Sequence, residues 1–426
     1  MLSDSYTPRA VDVELDELSQ SVAALAVEGA KGVGKTATAG RRAAQTRELD
    51  DPVQRSIAAA DPSRLLQGPR PVLIDEWQYV PESWDLVRRA VDAGAEPGSF
   101  LLTGSSRPTE RGSHSGAARV VSVRMRPLAL SERGLASPTV SLSELLKGKR
   151  GALSGACSTG LEDYVEEIVS SGFPGLRSLS GRGLRAQLDG YLTRIVDRDF
   201  EELGHNLRDP GTLRRWMAAY AAASSTAASY ETIRDAATAG HGEKPAKTTT
   251  LPYRDVLERL WILDPVEAWL PMRNRISRLS FPPKHQLADP ALAARLLGVD
   301  AGALLEGRDA GPPVPRDGPL LGALFESLVT LSVQTYAQVA EARVRHLRTA
   351  GGQREIDLIV ERDDGRVVAI EVKLSRDPKD HDAVHLRWLA DQIGDELLDA
   401  VIVTTGSEAY RRKDGIAVVP AALLGP

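Results

Sequence analysis

The sequence predicts an α/β chain in three parts: a parallel phosphate-loop sheet over 1–150, a helical middle over 151–315 and a smaller α/β domain over 316–426. Three observations predict it. Short apolar strands near the N-terminus end in glycine-rich or polar groups, as in parallel sheets whose carboxyl edge binds nucleotide. From about Leu161 to Val299 apolar residues recur at helical spacing. Near the C-terminus, two apolar strands flank Asp363-Asp364-Gly365, a tight turn with glycine at the left-handed position.

In the first part an apolar run, Val22 to Val27, leads into Gly29, Ala30, Lys31, Gly32, Val33, Gly34, Lys35 and Thr36. This is a complete G-x-x-x-x-G-K-[ST] loop. Its glycines let backbone N–H groups surround phosphates, Lys35 supplies a cation and the Thr36 hydroxyl a magnesium ligand. A second strand, Val72-Leu73-Ile74, ends in Asp75 and Glu76. In that Walker B arrangement Asp75 holds Mg²⁺ through water and Glu76 polarises the attacking water. A third strand, "GSFLLTGSSRP", brings Thr103 or Ser105 within reach of a γ-phosphate. A chance glycine-rich turn and a solvated acidic pair are the competing readings, and the three strands together argue against both. ATP (or GTP) and Mg²⁺ are the expected cofactors.

The 426 residues exceed one hydrophobic core. A net charge of −5 offers no global attraction to nucleic acid, so any such binding rests on local patches. Cys157 is the only cysteine, which excludes intrachain disulfides and a cysteine-built zinc site. No apolar run approaches the roughly 20 residues that span a bilayer. The first residues are too acidic for a signal peptide. The cytoplasm is the expected compartment, with no membrane partner.

The middle reads helix, helix, helix, strand, a winged-helix order. Thr250 is the expected cap of its last helix, with Pro252 early in that helix. Arg214, Arg215, Arg254 and Arg259 are available to DNA, but form no basic cluster, and a spacer or protein-docking role competes.

The last part poses a problem of charge. If the strands pair symmetrically about Asp364, Asp357 faces Glu371, and Lys373 shares a face with Glu371. Two like charges across a hairpin destabilise it unless a cation lies between them. A structural ion network with Arg354, Arg345 or Lys373 is one answer.

The stretches "EGAKGVGKTATA", "PVLIDEWQYVP", "FLLTGSS", "RMRPLALSE" and "SSGFPGL" resemble prokaryotic ATPases with an AAA-type N-terminal domain and a C-terminal domain of unknown function. The resemblance implies an additional-strand P-loop domain, a winged-helix-like middle and a terminal module similar to PD-(D/E)xK nucleases. It implies that Asp357 and Glu371 bind a divalent metal, that Lys373 steadies a hydroxide and that the helix residue Glu326 completes the site. An arginine on the γ-phosphate is also implied. Arg107, Arg119 and Arg126 are the candidates, or a neighbouring copy supplies it, which makes a homo-oligomer a candidate state. Arg343, Arg345, His346, Arg348 and Arg354 would meet a nucleic-acid backbone. Two functions follow. One is an ATPase controlling a nuclease-like module that acts on nucleic acid. The other is a non-cleaving ATP-dependent switch that binds a protein or DNA partner.

Overall fold

The computed structural model describes residues 6–105, 118–205, 207, 209–238, 244, 246–270, 281–308, 311–316 and 318–426. They fall into two compact units. Unit 1 comprises 1–126 with 173–175 and 259–261, and unit 2 takes the rest. The expected boundaries at 150 and 315 are therefore not compact-unit boundaries: 127–150 and most of the middle pack with the C-terminal part.

Unit 1 is built on β1 (Ala24–Glu28), β2 (Gln45–Glu48), β3 (Val72–Asp75), β4 (Phe100–Gly104) and β5 (Val121–Arg124). All pairs are parallel and the order is β2-β3-β4-β1-β5. Strand β4 lies between the phosphate-loop strand β1 and the acidic strand β3, so the sheet has the expected additional strand. Every residue of β1, β3 and β4 is buried, which is why they read as near-continuous apolar runs. In register, Phe100 pairs with both Ala24 and Val72. The carboxyl ends of all three strands therefore meet at one edge. Trp77 and Trp84, with ring centroids 4.9 Å apart, pack into the apolar core with Phe100 and Leu102.

In unit 2 a short parallel pair joins β6 (Val140–Ser141) to β13 (Leu424–Gly425). The main sheet contains β7 (Arg343–Arg348), β8 (Glu355–Glu361), β9 (Val367–Val372), β10 (Leu397–Thr404), β11 (Tyr410–Arg411) and β12 (Ala417–Pro420), in the order β11-β12-β10-β9-β8-β7. Helix Leu320–Val339 precedes β7 and helix Val384–Ile393 connects β9 to the parallel strand β10. The order along the chain is helix, three strands, helix, strand. Helix Leu320–Val339 corrects another expectation, because its 20 residues are long and apolar enough to cross a membrane. It is instead a core helix, with 83% of its most apolar window buried.

The hairpin has the register centred on Asp364, pairing Leu358 with Ile370 and Glu361 with Val367. Gly365 adopts φ +84°, and Arg362 N–H donates to Arg366 O (3.0 Å) to close the turn. The helices before the sheet are Leu161–Ser170, Gly181–Arg194, Pro210–Ala222, Tyr230–Ala236 and Lys247–Arg259. The last starts three residues before Thr250, which is therefore not its cap, and Pro252 lies inside it. Arg254 is spent on Asp255 (3.4 Å), Glu258 (3.7 Å) and the Tyr230 ring.

Antiparallel bridges Leu263↔Leu287 and Val266↔Lys284 follow, and Ala268 bridges to His346 of β7. This segment stitches the helical part of unit 2 to its sheet. His285 N–H donates to Thr226 O (2.8 Å) and Ser225 N–H to His285 O (2.8 Å). Two buried imidazoles belong to this seam. His285 Nε2–H donates to Ala228 O (2.7 Å) and His346 Nε2–H to Pro282 O (3.2 Å), which leaves each Nδ1 buried without a hydrogen bond. Burial, chiefly, depresses His285 to about 4 and His346 to about 3, the latter aided by the charge of Lys284. Both are neutral when folded and protonate more readily when unfolded. Their contribution to stability is complete above about pH 6.5 and is lost as pH falls, by about 1.4 kcal/mol per pH unit for each ring. Denaturation of the full chain across pH 7 to 4 should show this slope in unit 2. A His285→Gln variant should show a shallower one.

Candidate functional site

The carboxyl edge of the unit 1 sheet gathers the expected nucleotide residues. After β1 the loop turns through Gly32 (φ +84°) and Gly34 (φ +100°), conformations that L side chains rarely adopt. At Gly29 the constraint is space, since a Cβ there would lie 2.1 Å from Met125 O. The buried Lys35 ammonium donates to Gly29 O (2.9 Å), Ala30 O (3.0 Å) and Ser105 Oγ (3.3 Å). Burial, chiefly, lowers its pKa to about 8, against the pull of Glu76 and Asp75. Asp75 Oδ1 accepts from Thr36 Oγ1 (2.8 Å) and from Thr103 Oγ1. Burial, above all, raises Asp75 above its ordinary value. A desolvated carboxylate beside a hydroxyl is a hard-oxygen donor pair, so Thr36 and Asp75 fit Mg²⁺.

Glu76 has φ +53°, a left-handed conformation unusual for a residue with a side chain. Its N–H donates to Thr103 Oγ1 (3.4 Å), its Oε1 accepts from Ser105 Oγ (3.1 Å) and its Oε2 from Gln78 Nε2. One hydroxyl, that of Ser105, thus links the loop ammonium to the Walker B glutamate. Thr103 does the same for Asp75 and the Glu76 backbone. Lys31 and Val33 complete the loop, and Val33 is buried.

Sequence reasoning missed Arg9. Its guanidinium is buried and donates to Val33 O (2.8 Å) and Arg126 O (2.7 Å), bracing the loop from outside. Nothing in the residues around Arg9 signals this. Of the candidate γ-phosphate arginines, Arg119 is exposed and pairs with Asp92 (2.8 Å). Arg107 lies outside the described residues.

In unit 2, Glu326, Asp357, Glu371 and Lys373 line one cavity of about 620 Å³, together with Glu355 and His385. Asp357 Oδ2 accepts from Val372 N–H (2.8 Å), as expected where the hairpin register continues toward Glu371. Lys373 Nζ donates to Glu371 Oε2 (2.9 Å) and lies 4.0 Å from Asp357. The residue that sequence reasoning missed is Lys284. Its fully buried ammonium is 2.8 Å from Glu326 Oε1, 3.1 Å from Asp357 Oδ1 and 3.2 Å from Glu355 Oε1. The cations among these carboxylates are thus Lys284 and Lys373, with Arg348 on Glu355. Among the described residues no group of three or more His, Cys, Asp or Glu side chains is arranged to hold a metal ion. Of the expected set, Glu326 and Asp357 meet the Lys284 ammonium and Glu371 meets that of Lys373.

The electrostatics agree. Burial would raise Asp357, but Lys284 and then Lys373 outweigh it and bring the carboxyl to about 2. Burial, followed by the Asp357 charge, pushes Glu371 well above the usual carboxylate range and Glu326 up to about 8. Burial also opposes the Lys284 charge, yet its three carboxylates hold the proton on. The arginines offered for nucleic acid are largely spent: Arg343 pairs with Asp363 (3.2 Å), Arg345 with Glu361 (2.9 Å) and Arg348 with Glu355 (3.2 Å). His346 is buried.

Three family models match the chain: an AAA domain over 21–133, a domain of unknown function (DUF8612) over 161–303 and a further domain of unknown function (DUF4143) over 321–424. Two mycobacterial relatives, the uncharacterized proteins Rv2008c of Mycobacterium tuberculosis and Mb2031c of Mycobacterium bovis, are each 27% identical over 400 residues. Each alignment covers 92% of this chain and 79% of the relative. The Walker-type ATPase PABY2304 of Pyrococcus abyssi aligns at 17% identity and a TM-score of 0.36, over 68% of this chain and 96% of that one. The AAA match spans the phosphate loop, Asp75, Glu76 and β4, so the N-terminal segment is similar to an AAA domain over the residues that carry the nucleotide motifs.

Proposed function

We propose that the protein is an ATP-hydrolysing switch whose nucleotide state controls the carboxylate-lined module of unit 2, and that this module engages a nucleic-acid or protein partner without cutting it. The observation that carries the reading is the Ser105 hydroxyl, which accepts from Lys35 and donates to Glu76. A γ-phosphate that draws Lys35 away from the loop carbonyls would remove one of the contacts that set Ser105, and through it the Glu76 carboxylate. Glu76 is then the group that orients and polarises the attacking water. Thr36 and Asp75 are the residues that would hold Mg²⁺, which neutralises charge on the phosphates.

A second reading, cleavage of nucleic acid, is favoured by the convergence of Asp357, Glu371 and Lys373 in one cavity. Plasmid incubation with the full chain, ATP and either Mg²⁺ or Mn²⁺ separates the two. The switch predicts ATP turnover with intact plasmid. Nicking that Asp357→Asn and Lys373→Ala both abolish would replace it with the nuclease. Binding of the ATP-loaded Glu76→Gln protein to DNA at 50 and 200 mM salt then identifies the partner class, because phosphate contacts weaken steeply with salt.

A further inference from the structure

Most carboxylate oxygens of the unit 2 cavity are engaged by ammonium, guanidinium or backbone N–H groups. Asp357 Oδ1 accepts from Lys284 and Oδ2 from the Val372 amide. Glu371 Oε2 accepts from Lys373. Glu326 Oε1 and Glu355 Oε1 both lie against Lys284, and Glu355 Oε2 lies against Arg348. Of the four Asp357 and Glu371 oxygens, only Glu371 Oε1 has no hydrogen-bond partner, and it is buried. A Mg²⁺ ion needs near-octahedral oxygen ligands at about 2.1 Å. At Asp357 Oδ1 it would be brought beside an ammonium already 3.1 Å from the same oxygen.

The ammonium is also not free to leave. Lys284 is bridged to Val266 by paired backbone hydrogen bonds of 2.9 Å in each direction. The next residue, His285, is tied to Ser225 and Thr226. The Lys284 side chain itself is fully buried among its carboxylate partners.

We propose that Lys284, assisted by Lys373, is a tethered counter-ion that occupies the place of a divalent metal, so that the unit 2 cavity is metal-independent as it stands. The inference does not depend on ATP hydrolysis, and its test is direct metal binding.

Mn²⁺ titration of the full chain, read by the resonance signal of free Mn²⁺, provides that test. Asp75→Asn first removes the carboxylate from the site in unit 1. In that background the chain with Lys284 intact should bind no Mn²⁺ that depends on Asp357. Adding Lys284→Ala should create an Mn²⁺ site, and adding Asp357→Asn should abolish it again. Circular dichroism with and without Mn²⁺ covers a variant that unfolds, since folding restored by the ion is the same gain of a site. Two results overturn the proposal: Asp357-dependent Mn²⁺ binding with Lys284 present, or a Lys284→Ala chain that gains no Mn²⁺ site.

Discussion

Glu76→Gln should bind ATP yet turn it over at least about 100-fold more slowly, the scale of losing a group that orients or deprotonates the attacking water. The amide keeps the shape of the side chain and can still meet Ser105 and Gln78. What it loses is the charge that polarises water. Lys35→Ala should fail earlier, at binding. The loop carbonyls of Gly29 and Ala30 would remain, but the Lys35 ammonium that donates to them would be gone. Nucleotide affinity by calorimetry and phosphate release in single turnover distinguish the two defects. Undiminished hydrolysis by Lys35→Ala would remove the ATPase assignment.

The second large effect concerns stability. Lys284→Met fills much of the same volume but leaves Glu326, Glu355 and Asp357 without their shared cation. Removing one partner of a buried ion cluster costs about 3–5 kcal/mol, because the remaining charge is desolvated and uncompensated. Replacing the cluster as a whole is far milder, so Lys284→Met combined with Asp357→Asn and Glu326→Gln should recover much of the loss. Amide hydrogen exchange in β8 and β9 reports on unit 2 without interference from unit 1. A Lys284→Met chain with unchanged exchange there would show that the ammonium contributes no stability.

Legibility followed the sequence distance over which each feature is built. The phosphate loop is eight consecutive residues, and Asp75 and Glu76 are adjacent, so local chemistry identifies them. The hairpin register was readable because a three-residue turn with glycine at its left-handed position leaves one pairing for the flanking strands. Lys284 lies 73 residues from Asp357 and 42 from Glu326, in a stretch whose pattern marks it as nothing more than a lysine before an apolar run. Arg9 escaped for the same reason, since its partners are the carbonyls of Val33 and Arg126, and carbonyls carry no sequence signal. The like charges of Asp357 and Glu371 signalled that a cation belongs near them, but the ammonium beside Asp357 comes from Lys284, in another part of the chain.

Lys284 also bears on modularity. The family models divide the chain between 303 and 321, as if the last segment were a portable piece. Yet Lys284 belongs to the earlier segment, and the acids it neutralises, Glu326, Glu355 and Asp357, belong to the later one. Excised alone, residues 321–424 would carry an acidic interior whose base had been left behind. Recombination at this junction would demand that both halves travel together, or that a metal replace the lost lysine. The two segments are thus distinct in a sequence alignment but share one ion cluster in the folded chain.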